Sequence, residues 1–325
     1  MTAVNRRWER ARKGERAMVP RAEFRSYYGQ PIISPPVWQE REIAGYLFLG
    51  GLAGAASAMA AGAHLTGRPG LARVAKLGSA IALSLSLGAL VEDLGRPSRF
   101  VNMLRVFKTT SPMSVGSWLL AAFGPASLVA AGSELAGVLP AVGTAATVGA
   151  GLLGPGVASY TAALISDTAV PAWHEGWKEM PFVFVASAAS AAGGLGLVGA
   201  ALSENRPARL MAVAGGALEL GLERAMEERM GMAGEAYRSP GAHRLLLASR
   251  FLTGGGVLGA LIFGRRSRVG SALAGVALMA GSALTRFGIF RAGMASAEDP
   301  RFTVEPQRAR RAGVSGADTA PGLRP

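Results

Sequence analysis

A few ionisable side chains interrupt or end long apolar stretches of this sequence. Arg250 and Arg286 interrupt two such stretches, and Tyr46 and Tyr160 lie near the ends of two others. A charged residue costs about 2.5–3.5 kcal/mol at the centre of a membrane span, so residues placed in this way are candidates for a function. Snorkelling to the membrane surface is the plain alternative for either arginine taken alone.

More polar residues are expected at the same level as these four, at the end of the molecule where both chain termini lie. They are Glu92, Asp93, Asp167, Glu219 and Glu223. A set of phenols, carboxylates and guanidiniums beside an apolar slot suits an amphiphilic ligand. A quinone needs donors to its carbonyl oxygens and groups that move two protons. The same side chains could line the path of a solute, and sequence spacing alone does not choose between the two.

The elements that must position these residues are membrane-spanning helices. The chain has 325 residues, of which half are hydrophobic and 17% are charged, and the charges fall in clusters. Four segments contain no Asp, Glu, Lys or Arg, and each could cross a bilayer, which needs about 20 residues. These segments are Ile43–Gly67, Thr109–Ser133, Leu135–Ser166 and Met180–Ser203. The pattern predicts an all-α, polytopic membrane protein and excludes a soluble enzyme.

Eight transmembrane helices are predicted within residues 43–291, between a polar, Arg-rich tail at 1–42 and a polar tail at 292–325. The spans are placed at about 43–65, 74–92, 113–133, 141–165, 181–202, 207–222, 244–263 and 269–290. The sixth is short, and we expect it to continue as an amphipathic interfacial helix up to Gly231. Runs of Gly, Ala and Ser within the spans favour close helix packing in lipid.

The distribution of basic residues predicts the orientation. With eight spans, 24 of the 34 Lys and Arg residues lie on the side of the termini and eight lie on the opposite side. The positive-inside rule then places both termini in the cytoplasm. Trp38, Trp173 and Trp177 fall at the same level and fit an interfacial aromatic belt.

The residues that are absent exclude several cofactors. The chain has no cysteine, so no iron–sulfur cluster, thiolate zinc site or c-type haem attachment is expected. The three histidines, His64, His174 and His243, do not form a pair at one depth on neighbouring spans, so no di-haem site is expected. Any redox metal must therefore lie in a partner. Neither a metal site nor a nucleic-acid partner is expected for this chain.

A resemblance to a known family decides between the open alternatives. The loop after the second span contains DLGRP at Asp93–Pro97, followed by SPMSVGSW at Ser111–Trp118. This stretch resembles the signature of the NrfD/PsrC family, the membrane subunits of polysulfide-reductase-type complexes. The segments YLFLGGLAGA at Tyr46–Ala55 and YYGQP at Tyr27–Pro31 are also similar. The resemblance covers residues from about 23 to 310 and is specific within 91–118.

The resemblance implies a fold of two four-helix bundles, no cofactor of the chain's own, and a bound (mena)quinone as exchangeable substrate. It further implies a ferredoxin-like subunit with four iron–sulfur clusters, docked over the quinone site. Tyr160 matches the fourth-helix tyrosine that contacts quinone in the polysulfide-reductase branch. That branch has Asn and His where this chain has Ile43 and Tyr46. Tyr46 can donate a hydrogen bond but cannot carry a proton near neutral pH as His does.

The remaining site residues are assigned more coarsely. Asp93 matches the family's Asp before Leu-Gly-Arg-Pro, where it either pairs with a following arginine or joins the site. Proton transfer or site lining is the expected role of Asp93, Glu92, Asp167, Glu219, Arg250 and Arg286. Docking of the partner's acidic surface is the role expected of Arg96, Arg99 and Arg105.

The sequence therefore predicts a quinone-interacting anchor subunit in a bacterial plasma membrane, which is not an enzyme by itself. It would exchange electrons between the iron–sulfur subunit and the quinone pool. The attached catalytic subunit would be, for instance, a molybdopterin oxidoreductase such as a formate dehydrogenase. The alternative is a solute transporter or proton channel that uses Arg250, Arg286, Glu219 and Glu223. A transporter would be expected to contain inverted repeats with helices broken near the midplane.

Overall fold

A computed structural model of the chain describes residues 31–93 and 102–308. The regular structure of these residues is entirely helical, as the sequence predicts. Eight long helices follow one another: α1 (Glu40–Leu65), α2 (Pro69–Asp93), α3 (Pro112–Ala136), α4 (Pro140–Ser166), α5 (Met180–Gly199), α6 (Arg206–Arg229), α7 (Pro240–Phe263) and α8 (Arg268–Glu298). A single helical turn at Pro171–His174 precedes α5, and a 3₁₀ helix at Ala233–Arg238 precedes α7.

Seven of these eight helices are long and apolar enough to cross a membrane, and α6 is the exception. The chain is thus a multi-pass membrane protein by the length and composition of its helices. All eight are continuous, although α3 and α4 contain Pro125 and Pro155 in their interiors. The broken helices expected of a transporter are not found among the described residues.

The sixth helix differs from the expected short span followed by an interfacial helix. It is one uninterrupted helix of 24 residues, and its inward face includes the carboxylates of Glu219 and Glu223. Both side chains are only 1% exposed. Charge along the sequence favoured a helix at the membrane surface, but α6 packs against α5 and also contacts α7 and α8, which buries this face inside the molecule.

Proline determines where most of these helices begin. It occupies the first turn of α2, α3, α4, α5, α6 and α7. The first turn tolerates proline because its backbone N–H groups have no partner within the helix. In α3 the Ser111 side chain also accepts a hydrogen bond from the Ser114 backbone N–H, and Gly137 ends the helix in the left-handed conformation.

The helices pack in two groups of four. In the first group α1 contacts α2 and α4, and α3 contacts the same two helices from the other side. In the second group α5 contacts α6 and α8, and α7 contacts the same two helices. Contacts of α1 with α5 and α8 join the groups.

Glycine pairs set the closest helix crossings. A Cβ atom at Gly54 of α1 would overlap the backbone of Gly154 in α4, and one at Gly154 would overlap Gly54. Gly194 of α5 and Gly275 of α8 form the same kind of contact in the second group. Small residues allow this approach, and van der Waals packing then holds the helices together in lipid.

Candidate functional site

The first helix group contains a pocket at the end of the molecule where α1 begins and α8 ends. We call this end the terminus-side end. Its walls are mostly apolar and come from all four helices of the group. They comprise Trp38, Ile43, Tyr46, Leu47, Leu90, Asp93, Met103, Met113, Ser117, Leu120, Tyr160, Leu164 and Ile165. The site thus offers an apolar slot with a few polar groups, which is usual for an organic ligand.

Two phenols form the polar centre of this pocket. The hydroxyl groups of Tyr46 in α1 and Tyr160 in α4 are hydrogen-bonded to each other. The two side chains are 3% and 9% exposed. Gly116 of α3 makes room for the Tyr160 ring, since a Cβ atom at Gly116 would overlap it. The sequence predicted both tyrosines as site residues, and the structure brings them together.

One carboxylate lines the same pocket, and a second interacts with it. Asp93, the last residue of α2, lines it. Glu42 precedes Tyr46 by four residues on α1, and its charge interacts with that of Asp93. One carboxylate oxygen of Glu42, Oε2, is buried and has no hydrogen-bond partner. Sequence reasoning missed Glu42, although the four-residue spacing places it on the same face of α1 as Tyr46.

A second polar cluster lies within the second helix group. Thr285 of α8 donates a hydrogen bond of 2.8 Å to Glu219 Oε1. Arg250 of α7 forms an ion pair of 3.0 Å with Glu223 and also pairs with Glu227. Arg286 is buried, donates to the Phe184 carbonyl at 2.9 Å, and lies over the Phe184 ring. Four residues that the sequence predicted for the site thus lie together: Glu219, Glu223, Arg250 and Arg286. They lie in a different helix group from the two tyrosines.

Charged groups also meet at the opposite end of the first group, which sequence reasoning missed. Lys76 of α2 is 4% exposed and forms an ion pair of 2.9 Å with Glu134 of α3. Its Nζ is 3.4 Å from His64 Nδ1, and His64 Nε2 is 3.0 Å from the Thr144 hydroxyl. All four helices thus contribute one side chain. The predicted second span, at about 74–92, has Lys76 in its first turn, whereas α2 begins earlier, at Pro69, so that Lys76 lies two turns inside the helix.

The other predicted residues lie outside these clusters. Glu92, Asp167 and Arg105 are exposed at the terminus-side end. Arg96 and Arg99, which were predicted to dock a partner, lie outside the described residues.

The prediction that Trp173 belongs to an interfacial aromatic belt is wrong. This side chain is fully buried, stacks on Trp38 with ring centroids 5.8 Å apart, and donates its indole N–H to the Ile289 carbonyl at 2.9 Å. Trp177 is 56% exposed, as a belt residue should be.

Tyr237 is a third buried phenol, outside the pocket. Burial and the charge of Glu227 raise the pKa of its hydroxyl, which donates to the Ala172 carbonyl.

Comparison with known proteins identifies one family. The family model described as "Polysulphide reductase, NrfD" matches residues 31–209, which is more than half of the chain. The match includes α1 to α5 and both tyrosines of the pocket. A search of curated proteins finds no match.

Proposed function

Because this chain belongs to the NrfD family, whose members are membrane subunits of quinone-linked oxidoreductase complexes, we propose that it exchanges electrons between a partner subunit and the quinone pool. The partner would carry iron–sulfur clusters and dock at the terminus-side end, and a further subunit would be catalytic. We place the chain in a bacterial plasma membrane with cytoplasmic termini, because 24 of its 34 basic residues fall on that side. The electrons would come from, or go to, the partner's clusters, since the chain has no cysteine to bind a cluster itself.

The observation that carries this proposal is the bonded phenol pair inside an apolar pocket. A quinone head group presents two carbonyl oxygens that accept hydrogen bonds, and each tyrosine can donate one. Leucine, isoleucine and methionine side chains on the walls suit the ring and the start of the isoprenoid tail. The residues present therefore fit a quinone or menaquinone.

The two phenols and two carboxylates at the pocket would each have a role in this reaction. When Tyr46 and Tyr160 donate to the ligand, they hold its carbonyl oxygens in place. Their hydrogen bonds strengthen as negative charge builds on those oxygens during reduction, since charge-assisted bonds are roughly twice as strong as neutral ones. Asp93, which lines the pocket, and Glu42, whose charge interacts with that of Asp93, would hold a proton for the ligand.

The pocket also separates this proposal from a transporter. A transport path needs a binding site near the membrane midplane that is reached from alternate sides. The pocket lies instead at the ends of α1, α2 and α4, within reach of a subunit docked at the terminus-side end. The charged residues of the transport alternative, such as Glu219 and Arg250, are in the other helix group.

The substitution Tyr160→Phe tests the proposal in the purified complex. It removes one donor and keeps the ring, so it should cost about 1–3 kcal/mol if a carbonyl oxygen is left unpaired. That range corresponds to about 5- to 150-fold slower quinone turnover. Assembly of the complex and electron transfer to soluble dyes should be retained.

Tyr237→Phe is the matched control, because this phenol is buried and bonded outside the pocket. Quinone turnover should be unchanged in that variant. Normal quinone turnover in Tyr160→Phe would contradict the proposal. Loss of assembly would instead make Tyr160 a structural residue, and the test would then pass to Tyr46→Phe, for which the same slower turnover is expected.

A further inference from the structure

The interior of the second helix group contains a polar half and an apolar cluster. The polar half, toward the terminus-side end, holds Glu219, Glu223, Arg286 and a set of hydroxyl groups. The apolar cluster next to it is made of Leu197, Ala212, Ala260, Ala274 and Leu278, all buried, and the buried polar side chains of Asn205 and Ser271 lie beyond it. Buried charged groups are costly within a bundle whose helices otherwise pack through small residues, so the polar half is a candidate for a function.

Glu219 lies in the polar half with incomplete hydrogen bonding. Thr285 satisfies its Oε1 atom, while its Oε2 atom is buried without a partner. Arg286 interacts with it electrostatically, and two guanidinium nitrogens of Arg286, Nε and Nη1, are also buried and unpartnered. The hydroxyl groups of Ser190 and Thr253 are also buried without a hydrogen-bond partner. Buried polar atoms of this kind are normally satisfied by ordered water or by a proton.

Glu223 connects Glu219 to the surface. It follows Glu219 by four residues, so both side chains project from the same face of α6, about 6 Å apart along the helix. Its partner Arg250 also binds Glu227, whose side chain is 17% exposed. The carboxylates therefore form a sequence from buried to accessible: Glu219, Glu223, Glu227.

The charges in this cluster do not balance. The ionisable groups that face it are three carboxylates on α6, Arg250 on α7 and Arg286 on α8. Tyr237 lies near Glu227, but its hydroxyl donates to the Ala172 carbonyl and takes no part in the relay. The described residues of α5 contribute only hydroxyls to it. An uncompensated charge is costly in such an environment, and a carboxylate there takes up a proton instead. A sodium ion is disfavoured because the Arg286 guanidinium lies beside Glu219.

We propose that Glu219 and Glu223 form a proton-exchange relay that leads from the terminus-side surface into the second helix group. A proton enters beside Arg250, is held by Glu223, and passes through internal water to Glu219. The apolar cluster around Leu278 closes the route toward the other side of the membrane. The relay therefore takes protons up from, and returns them to, the terminus side.

The inner end of the relay lies beside the helix that carries the pocket. Arg286 reaches α1 at Gly51, where a Cβ atom would be 3.7 Å from the guanidinium Nη2. Gly51 follows Tyr46 by five residues, or about 7.5 Å along α1. Reduction of a quinone takes two electrons from the partner and two protons, one for each carbonyl oxygen. The relay would supply these two protons, and this part of the inference rests on the proposed function.

Infrared spectroscopy of the purified complex tests the relay without using quinone. A buried, protonated carboxyl group gives a C=O stretching band that shifts in D₂O. Glu219→Gln should remove this band, and Glu219→Asp should shift it while retaining a carboxyl group. Glu228→Gln is the matched control, since Glu228 is on the same helix, 67% exposed and paired with Arg224. Its spectrum should equal that of the unmodified protein.

Quinone turnover gives the second readout. In Glu219→Gln we expect about tenfold slower turnover with an unchanged KM for quinone, and partial recovery in Glu219→Asp. Any one of three results would overturn the relay. The first is an unchanged band in both Glu219→Gln and Glu223→Gln, and the second is a band that is displaced by sodium chloride but not by choline chloride. The third is normal quinone turnover in Glu219→Gln. Normal turnover in Tyr160→Phe, with the Glu219 band present, would contradict the quinone pocket and leave proton exchange at Glu219 standing.

Discussion

Replacing Gly116 by alanine should damage the pocket without removing any of its functional groups. A Cβ atom at this position would be 3.1 Å from Cζ of Tyr160 and closer still to two other ring carbons. Non-bonded carbon atoms are most stable about 3.5–4.0 Å apart, so the ring must move by roughly 1 Å. That movement breaks the bond between the Tyr160 and Tyr46 hydroxyls or misdirects it from the ligand.

The magnitude follows from two opposing effects. Overpacking of a filled site costs about 1–3 kcal/mol. Exchanging glycine for alanine within a helix returns up to about 1 kcal/mol. Gly116→Ala should therefore lower thermal stability only slightly, while kcat/KM for quinone falls about tenfold through the displaced phenol. Electron transfer to soluble dyes should be unaffected.

Gly124→Ala is the control on the same helix. Gly124 is also buried, but its Cβ atom would be 3.9 Å from the nearest side-chain atom, Cδ2 of Leu83, which is an ordinary contact. This variant should behave like the unmodified protein or be slightly more stable. If both alanine variants turn over quinone equally well, then the ring of Tyr160 is not the positioning element that we infer. If Gly116→Ala and Tyr160→Phe act on one group, their combined effect should be less than the sum.

Three further predictions concern the rest of the chain. Lys76→Met should lower the free energy of unfolding by about 1–3 kcal/mol, because it leaves Glu134 partly buried without its cation. Thermal unfolding should show that the double variant with Glu134→Leu recovers most of this loss. Reporter fusions after Arg68 and after Arg301 should report opposite sides of the membrane, and the same side for both would mean that the number of spans is wrong. The purified chain without its partners should contain no stoichiometric iron and show no Soret band in its absorption spectrum.

Hydropathy predicted most of the fold because lipid leaves few alternatives. A backbone in the bilayer must satisfy its hydrogen bonds internally, so each long apolar segment becomes a helix. The predicted helix ends were less accurate where a helix extends beyond its apolar segment. The end of α8 was expected at 290 but is found at Glu298. Contacts from distant parts of the chain hold this extension, such as the bond of 3.1 Å from the Ala172 N–H to Ser296.

The buried charges were harder to place from the sequence. Glu219 and Glu223 were predicted as site residues, but four glutamates within ten positions of α6 favoured an interfacial helix, so their burial inside the second helix group was not predicted. Their partners, such as Arg250 and Thr285, come from helices that are more distant in the sequence. Pattern and composition describe one helix at a time, whereas burial of a charge depends on what a neighbouring helix offers. The pair Tyr46 and Tyr160 could be predicted because a resemblance, and not a periodicity, linked the two positions.

The position of the pocket follows from where α1 and α4 cross. The crossing at Gly54 and Gly154 brings the two backbones into contact, so no space for a ligand is left there. Tyr46 lies eight residues before Gly54 and Tyr160 six residues after Gly154, which is about 12 Å and 9 Å along the respective helices. Both tyrosines are thus on the terminus-side of the crossing, where larger side chains such as Trp38 keep the helix ends apart. A glycine contact at the crossing and larger residues toward one end therefore place the pocket on the terminus side of the crossing, which is the side where we expect an electron-carrying partner.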